Sequence, residues 1–185
     1  PVYKPIKISS SITFDGKVDL EEWSNAQVAT NFTGSGTFQG EDALLKTEAR
    51  LMYDDTNLYI SFKAFVDRDE LRYSITKRDN LDDKDDRVWV NIDAFDDESL
   101  TYGIGVSAGG AQIDGRATYG FDQSLDLIYD TKVQIFDNRY EVEMIIPFSS
   151  LRYSLAPIQT WRLDFGRGFT LSLIHISEPT RQSPI

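Results

Sequence analysis

The chain has 185 residues, no cysteine and a formal net charge of −11, from 19 basic and 30 acidic side chains. This length suits one domain with a full hydrophobic core, and the acidic balance argues against nucleic acid and anionic membrane surfaces as partners. The absence of cysteine excludes disulfides, thiolate metal sites and thiol nucleophiles. No apolar run approaches the about 18 residues of a spanning helix, so we expect no membrane insertion by this domain.

The first recognisable element is the stretch ITFDGKVDLEEWSNA. Asp15 and Gly16 predict a tight turn, because glycine adopts positive φ without strain. Asp19 then suits the N-cap of a short helix near residues 19–26, and Glu22 has the spacing of a capping box. This structural interpretation explains the acidic residues without a ligand. The alternative is a calcium site that uses Asp15, Asp19 or Glu21.

Apolar residues along the rest of the chain recur with a period of two, which predicts β-strands. A hairpin centred on residues 54–57 brings apolar residues face to face, and a slip of one residue would destroy the match. The predicted pairs are Tyr53 with Leu58, Leu51 with Ile60, Ala49 with Phe62 and Leu45 with Val66.

Two further hairpins follow the same logic, one with a loop at residues 96–98 and one with a loop at Asp137 and Asn138. Their predicted apolar pairs are Val88 with Val106, Val90 with Ile104, Ile92 with Tyr102, Ala94 with Leu100, Ile135 with Tyr140 and Val133 with Val142. Short strands are expected near residues 4–10, 113–119 and 161–166. Together these elements predict an all-β fold, an antiparallel β-sandwich of jelly-roll type with about nine strands.

One face of the predicted 88–106 hairpin carries a tryptophan among glycines and polar side chains. Trp89 lies beside Gly105, and Asn91, Asp93 and Thr101 share its face. An indole surface with amide, carboxylate and hydroxyl neighbours is a candidate carbohydrate platform, because sugar C–H groups stack on the ring and the polar groups bind hydroxyls. The alternative is a tryptophan that covers strand glycines in a second core layer.

The segment RDNLDDKDDR, residues 78–87, is strongly acidic. Asp82, Asp83, Asp85 and Asp86 are the candidate metal ligands, since calcium takes six to eight oxygen ligands. The spacing does not fit an EF-hand loop. The alternative is a solvated loop whose charge is partly neutralised by its own basic residues.

The segment LSLIHISEPTRQ, which begins at residue 171, contains the only histidine, His175, and breaks the strand pattern. It resembles a translated sequencing adapter, so we expect a domain over residues 1–170 and a non-native tail over residues 171–185. The alternative is a native, poorly ordered tail. Without this segment the chain has neither histidine nor cysteine, which leaves Ser-His-Asp catalysis, histidine-based zinc sites and haem ligation by histidine without a candidate residue.

The motifs FDGKVDLEEW, TEARLMYDDTNLYISF, DDRVWVNIDAF, YEVEMIIPFSSLRY and WRLDFGR occur in this order over about residues 6–167. As a set they resemble the family 9 carbohydrate-binding-module-like domains of the DOMON-like superfamily, in the version found at the N-terminus of large exported bacterial proteins. In sugar-binding members a strand begins DSVE, whereas here it reads DRVW. Trp89 therefore stands in place of a glutamate that binds sugar hydroxyls, and Asp83 stands where one clamp tryptophan is expected.

The resemblance implies a jelly-roll module that is not an enzyme and binds an oligo- or polysaccharide, with calcium as the candidate cofactor. It implies a location outside the cytoplasm, periplasmic, outer-membrane-associated or secreted, within a larger protein of carbohydrate catabolism whose C-terminal remainder is its partner. Two alternatives remain. One is a structural or assembly domain that has lost sugar binding, and the other is a glycoside hydrolase, for which no pair of carboxylates is marked out by spacing.

Overall fold

The computed structural model describes residues 2–10, 12–34, 39–80, 84–118, 120–169 and 174–182, with the backbone alone for residues 2, 20, 121 and 174–182. The described elements are β1 (Val2–Tyr3), β2 (Ile6–Lys7), α1 (Leu20–Trp23), β3 (Val28–Ala29), β4 (Thr33–Gly34), β5 (Thr47–Tyr53), β6 (Asn57–Phe65), β7 (Arg87–Asp93), β8 (Thr101–Ser107), β9 (Gln112–Ala117), β10 (Phe121–Asp122), β11 (Asp130–Ile135), β12 (Arg139–Pro147), a 3-10 turn (Phe148–Ser150), β13 (Arg162–Phe169) and β14 (Ile174–Gln182). Within these residues, no helix has the length and apolar character that crossing a bilayer requires.

The strands form two sheets, one on each side of the core. The eight-stranded sheet has the order β1-β14-β13-β7-β8-β9-β10, and β4 also pairs with β14; the six-stranded sheet has the order β11-β12-β6-β5-β2, and β3 also pairs with β5. Described neighbours are antiparallel except β1 with β14 and β2 with β5. The predicted antiparallel β-sandwich is confirmed. Five of the described strands were not predicted. They are β14, which lies in the segment expected to be a tail, and the two-residue strands β1, β3, β4 and β10.

The registers of the three predicted hairpins are confirmed over the paired strands, whereas the predicted pairs Leu45 with Val66 and Ala94 with Leu100 lie beyond these ladders and stay predictions. Tyr53 pairs with Leu58, Leu51 with Ile60 and Ala49 with Phe62. Val88 pairs with Val106, Val90 with Ile104 and Ile92 with Tyr102, and Val133 pairs with Val142 and Ile135 with Tyr140. The strands expected near residues 4–10, 113–119 and 161–166 correspond to β2, β9 and β13.

The core lies between the inner faces of the two sheets. Phe62 of the six-stranded sheet and Phe165 of the eight-stranded sheet meet edge to face across it, with ring centroids 5.7 Å apart. A charged side chain, Arg167, is also fully buried there. Its Nη2 lies 3.9 Å from Oδ1 of Asp86, and its Nη1 donates to the Phe65 carbonyl at 3.0 Å. The sandwich therefore encloses an ion pair as well as apolar side chains.

The outer face of the six-stranded sheet is covered by the opening segment of the chain. Gly16, at φ 88°, forms the predicted turn, and its N–H donates to the buried carboxylate of Glu143 at 2.8 Å. Trp23, on α1, donates from Nε1 to the other oxygen of Glu143 at 3.1 Å. Asp19 caps α1 as predicted, by accepting from the Glu21 N–H at 2.9 Å.

The predicted capping box is wrong in one part. Glu22 does not reach back to the N-cap, because its Oε1 accepts from the Thr13 N–H at 2.9 Å. The helix spans Leu20–Trp23, shorter than expected, and Glu22 instead connects it to the preceding segment.

Candidate functional site

The candidate site lies on the outer face of the eight-stranded sheet. Val88, Val90 and Ile92 of β7 are fully buried on the inner face, so the alternation of a strand turns Trp89 and Asn91 outward. The outward positions of β7 pair across the ladder with β13, Arg87 with Gly168, Trp89 with Gly166, Asn91 with Asp164 and Asp93 with Arg162. We call the residues Arg87, Trp89, Asn91, Asp164, Gly166 and Gly168 the outer platform.

The Trp89 side chain extends over β13. A Cβ placed on Gly166 would lie closer than 3.0 Å to Cε2, Cζ2 and Nε1 of Trp89, a separation that real Cβ atoms essentially never show. The indole therefore lies directly on the Gly166 backbone. Trp89 does pair with Gly105, as predicted, but the glycine under its ring belongs to β13. A ring held in this way lies against the sheet, and Trp89 as a whole is half-buried.

Replacing Gly166 with alanine is expected to displace the Trp89 indole, because the added methyl group needs the space that the ring occupies. Overpacking of this kind costs about 1–3 kcal/mol of stability. Acrylamide quenching of tryptophan fluorescence should increase, and the change reports on Trp89, since Trp23 and Trp161 are only 1% and 2% exposed.

The matched control for this variant is Gly120→Ala, since a Cβ on Gly120 meets nothing within 4 Å. Its quenching should equal that of the unchanged protein. Equal quenching in the Gly166→Ala protein would contradict the stacked geometry.

Polar side chains lie on both sides of the indole along the strands. Asn91 donates from Nδ2 to Oδ2 of Asp164 at 3.2 Å. On the other side Arg87 runs over Gly168, because a Cβ on that glycine would lie 3.3 Å from Arg87 Nε. Two residues along a strand advance about 6.6–6.8 Å, so both groups lie one such step from Trp89. Asp164 and Arg87 were not among the predicted site residues.

Two predicted sugar-binding residues lie at the end of this face. Asp93 is buried, and its two oxygens accept from the Phe95 N–H at 3.1 Å and the Glu98 N–H at 2.9 Å. Asp93 therefore holds the loop between β7 and β8 in shape. Thr101, half-buried, is the first residue of β8. Their contact with a sugar stays a prediction.

The predicted metal ligands are described in part. Asp82 and Asp83 lie outside the described residues. Asp85 and Asp86 are both buried. Asp85 accepts from the Ser74 hydroxyl at 3.0 Å through Oδ1, while its buried Oδ2 has no hydrogen-bond partner. Oδ1 of Asp86 is likewise buried without a hydrogen-bond partner among the described residues, with Nη2 of Arg167 3.9 Å away.

The Asp86 carboxylate contacts a backbone N–H group and a basic side chain. It accepts from the Arg72 N–H at 2.9 Å and faces Arg167 in the core. Burial raises the pKa of its carboxyl group, although the Arg72 N–H and the Arg167 charge act in the opposite direction. Calcium prefers six to eight oxygen ligands, and the Asp86 carboxylate already pairs with the Arg167 guanidinium group. The calcium site over Asp82, Asp83, Asp85 and Asp86 stays a prediction.

A second group of carboxylates lies beside β9, where the ligand atoms of Asp79, Asp114 and Asp126 are within 4.8 Å of one another. Arg78 lies among them and donates from Nε to Oδ1 of Asp114 at 2.7 Å. Asp114 is fully buried, and burial raises its pKa. The guanidinium group is thus the counter-charge of this cluster, and the arrangement does not fit a calcium ion.

The alternative calcium site in the opening segment is also engaged locally. Asp15 accepts from the Lys17 N–H at 2.8 Å, which lowers its pKa. Asp19 accepts from the Glu21 N–H as a helix cap. These are the capping contacts that the structural interpretation predicts.

The two-layer antiparallel sandwich, with an outward-positioned indole beside hydrogen-bonding groups, places the chain in the class of β-sandwich modules with a candidate binding face. Within this class, the chain belongs to the carbohydrate family 9 binding domain-like family, whose model matches residues 14–169. Domains of this family are binding modules. No curated protein is significantly similar to the chain in sequence.

Solved structures show the same fold. A proposed carbohydrate-binding protein from Bacteroides uniformis has a TM-score of 0.70 at 12% identity, covering 96% of this chain and 88% of its own. A carbohydrate-binding module of family 9 from Caldicellulosiruptor kristjanssonii, in complex with cellotriose, has a TM-score of 0.64 at 16% identity, covering 97% and 93%. The same kind of module with glucose has a TM-score of 0.64 at 17% identity, covering 97% and 95%.

Proposed function

We propose that this protein is a non-catalytic module that binds carbohydrate at the outer platform, with a pyranose ring stacked on Trp89. The observation that carries the proposal is the indole lying on Gly166 at an outward position of the sheet, where Trp89 is only half-buried. Aromatic faces carry negative charge density that attracts the C–H groups of a sugar. The polar groups on either side supply the donors and acceptors that such sites use to bind hydroxyls.

Membership of the family supports a sugar as the ligand, and the structural neighbours that hold cellotriose and glucose supply the first probes. The platform is a sheet face with one aromatic ring, which suits binding. A glycosidase instead needs two carboxyl groups across a cleft, about 5–10 Å apart. We therefore expect no hydrolysis of aryl glycosides by the purified protein.

Replacing Trp89 with alanine is expected to weaken sugar binding by about 30-fold, the effect of losing a tryptophan that contributes about 2 kcal/mol. Glucose, cellotriose and a panel of oligosaccharides would be titrated by calorimetry, with and without calcium. A sugar that covers the indole should also protect the unchanged protein from acrylamide quenching.

The control for this variant is Phe95→Ala, which removes an exposed aromatic ring from the loop after β7. Its sugar affinity should equal that of the unchanged protein. Equal affinity in the Trp89→Ala protein would place the sugar elsewhere. No binding across the whole panel would favour the alternative of a structural or assembly domain.

The proposal also places the module outside the cytoplasm, in a larger exported protein that handles glycans. Its support is the ordered set of motifs described above. Fractionation of cells that express the full-length protein checks this location, and recovery in the cytoplasm would contradict it.

A further inference from the structure

We infer that Asp164 is a positioning residue of the outer platform, which fixes the side-chain amide of Asn91 so that Oδ1 of Asn91 accepts from an equatorial hydroxyl of a pyranose stacked on Trp89. The inference rests on the proposed function and adds to it the atom that binds a hydroxyl and the residue that orients this atom. It starts from Asn91, which is half-buried at an outward position of β7 and donates from Nδ2 to Oδ2 of Asp164 at 3.2 Å.

The Asp164 carboxylate is engaged within the sheet. Its Oδ1 is buried, and its Oδ2 accepts from Asn91. We therefore assign this carboxylate no direct contact with a sugar, and its effect on a ligand passes through Asn91.

The carboxylate determines which way the Asn91 amide faces. An ionised carboxylate only accepts hydrogen bonds, whereas a side-chain amide donates from nitrogen and accepts at oxygen. Turning the amide over would bring its oxygen against Oδ2 of Asp164, two acceptors with no proton between them. The nitrogen therefore faces Asp164, and Oδ1 of Asn91 points away from it. Among the described residues, the Asn91 side chain makes no other hydrogen bond, so its oxygen can accept from a ligand.

The amide lies where the rim of a stacked sugar would be. The Trp89 side chain extends over Gly166 of β13, and the Asn91 side chain leans the same way, to Asp164 of that strand. The two side chains therefore keep the separation of residues two apart on a strand, about 6.6–6.8 Å. The equatorial hydroxyls of a pyranose lie at the rim of the ring, and one O–H···O bond adds about 2.7–2.8 Å. One such hydroxyl is within reach of the Asn91 oxygen.

Calorimetry with glucose and its 2-, 3- and 4-deoxy analogues identifies this hydroxyl. Glucose is the probe because its hydroxyls at these three ring positions are all equatorial. The unchanged protein should bind one analogue about three- to tenfold more weakly than glucose, the effect of one hydrogen bond. In the Asn91→Ala protein this difference should vanish, because the acceptor of that hydroxyl is already gone.

Asp164→Asn separates positioning from a merely structural role. The new amide both donates and accepts, so it holds the Asn91 amide in either orientation. Glucose should bind more weakly, and the difference between glucose and the sensitive analogue should shrink. A cross-strand bond that only supports the sheet would leave this difference unchanged.

A spectroscopic measurement tests the orientation without a sugar. In 1H–15N spectra of the unchanged protein, one Nδ2 proton of Asn91 should exchange with solvent more slowly than the other, because it lies in the bond to Asp164. Both side-chain protons of Asn25, at an exposed position, should exchange rapidly. Equally fast exchange of the two Asn91 protons would overturn the inference.

The matched controls are Asn25→Ala and Asp69→Asn, at exposed positions outside the platform, and both should keep the affinities of the unchanged protein. The inference is wrong if every analogue binds as well as glucose, if the difference persists in Asn91→Ala, or if Asp164→Asn keeps it in full. The analogue series and the spectrum of the unchanged protein decide the matter even if the variants do not fold. Binding of other sugars without glucose overturns the inference and leaves the proposed function standing, whereas no binding of any sugar overturns both.

Discussion

Replacing Asp86 with alanine is expected to lower the free energy of unfolding by about 3–5 kcal/mol, the cost of leaving a buried partner charge uncompensated. Arg167 is fully buried, with Nη2 3.9 Å from Asp86. Its Nη1 bonds go to neutral oxygens, those of Lys46, Thr47 and Phe65. The variant also loses the acceptor of the Arg72 N–H. Urea denaturation measures the change.

A double-mutant cycle separates the ion pair from general damage. Asp86→Ala combined with Arg167→Met should be less destabilised than the sum of the single variants, because an apolar side chain replaces the stranded charge. Asp69→Ala, at an exposed position, should change stability by less than about 0.5 kcal/mol. Additive effects in the cycle would show that Asp86 and Arg167 are not energetically coupled.

Replacing Glu143 with alanine is expected to destabilise the protein by about 3 kcal/mol or more, because each buried donor left without an acceptor costs about 1–3 kcal/mol. Its carboxylate accepts from the N–H groups of Asp15 and Gly16 at 3.0 and 2.8 Å and from Trp23 Nε1 at 3.1 Å. Burial raises the pKa of Glu143, and these donors oppose that effect. Urea denaturation and hydrogen exchange of residues 12–26 would measure the loss.

Glu143→Gln is a milder substitution at the same position, since its side-chain amide keeps one oxygen as an acceptor. It should show an intermediate loss of stability. Glu70→Ala, at an exposed position, should be nearly neutral. If Glu143→Ala kept full stability and full exchange protection of the opening segment, the carboxylate would not be what attaches that segment to the six-stranded sheet.

The hairpins were predictable because their information is local. Apolar residues at every second position of two neighbouring segments match in one register only, as Val88 with Val106 and Leu51 with Ile60 show. The pairing of β7 with β13 was not predictable in this way. Alternation tells which face a side chain occupies, but it does not tell which distant strand lies beside it.

In the candidate site too, the local features were predictable and the contacts between distant strands were not. Trp89 was correctly expected to face outward, because Val88 and Val90 alternate with it. The alternation of Leu163 and Phe165 in β13 is a signal that places Asp164 and Gly166 outward, although their position beside Trp89 needs the sheet order.

Hydrophobic periodicity did not predict the roles of two residues, Arg167 and Asp93. Arg167 has the inward phase of β13 but a charge that argues against burial. The ion pair with Asp86 and the hydrogen bonds that Nη1 donates resolve the conflict. Asp93 has the outward phase, yet its carboxylate is used by a loop in which Asp96 and Glu98 adopt φ values of 54° and 62°. Backbone conformation of this kind is not encoded in hydrophobic periodicity.

The contact between Trp89 and Gly166 joins β7 and β13, which are far apart in the sequence and are therefore synthesised at different times. A nascent chain that ends before β13 has the tryptophan but no backbone for it to lie on, and closing so long a loop is a slow event in folding. The outer platform should therefore become able to bind a ligand only when the sandwich is complete.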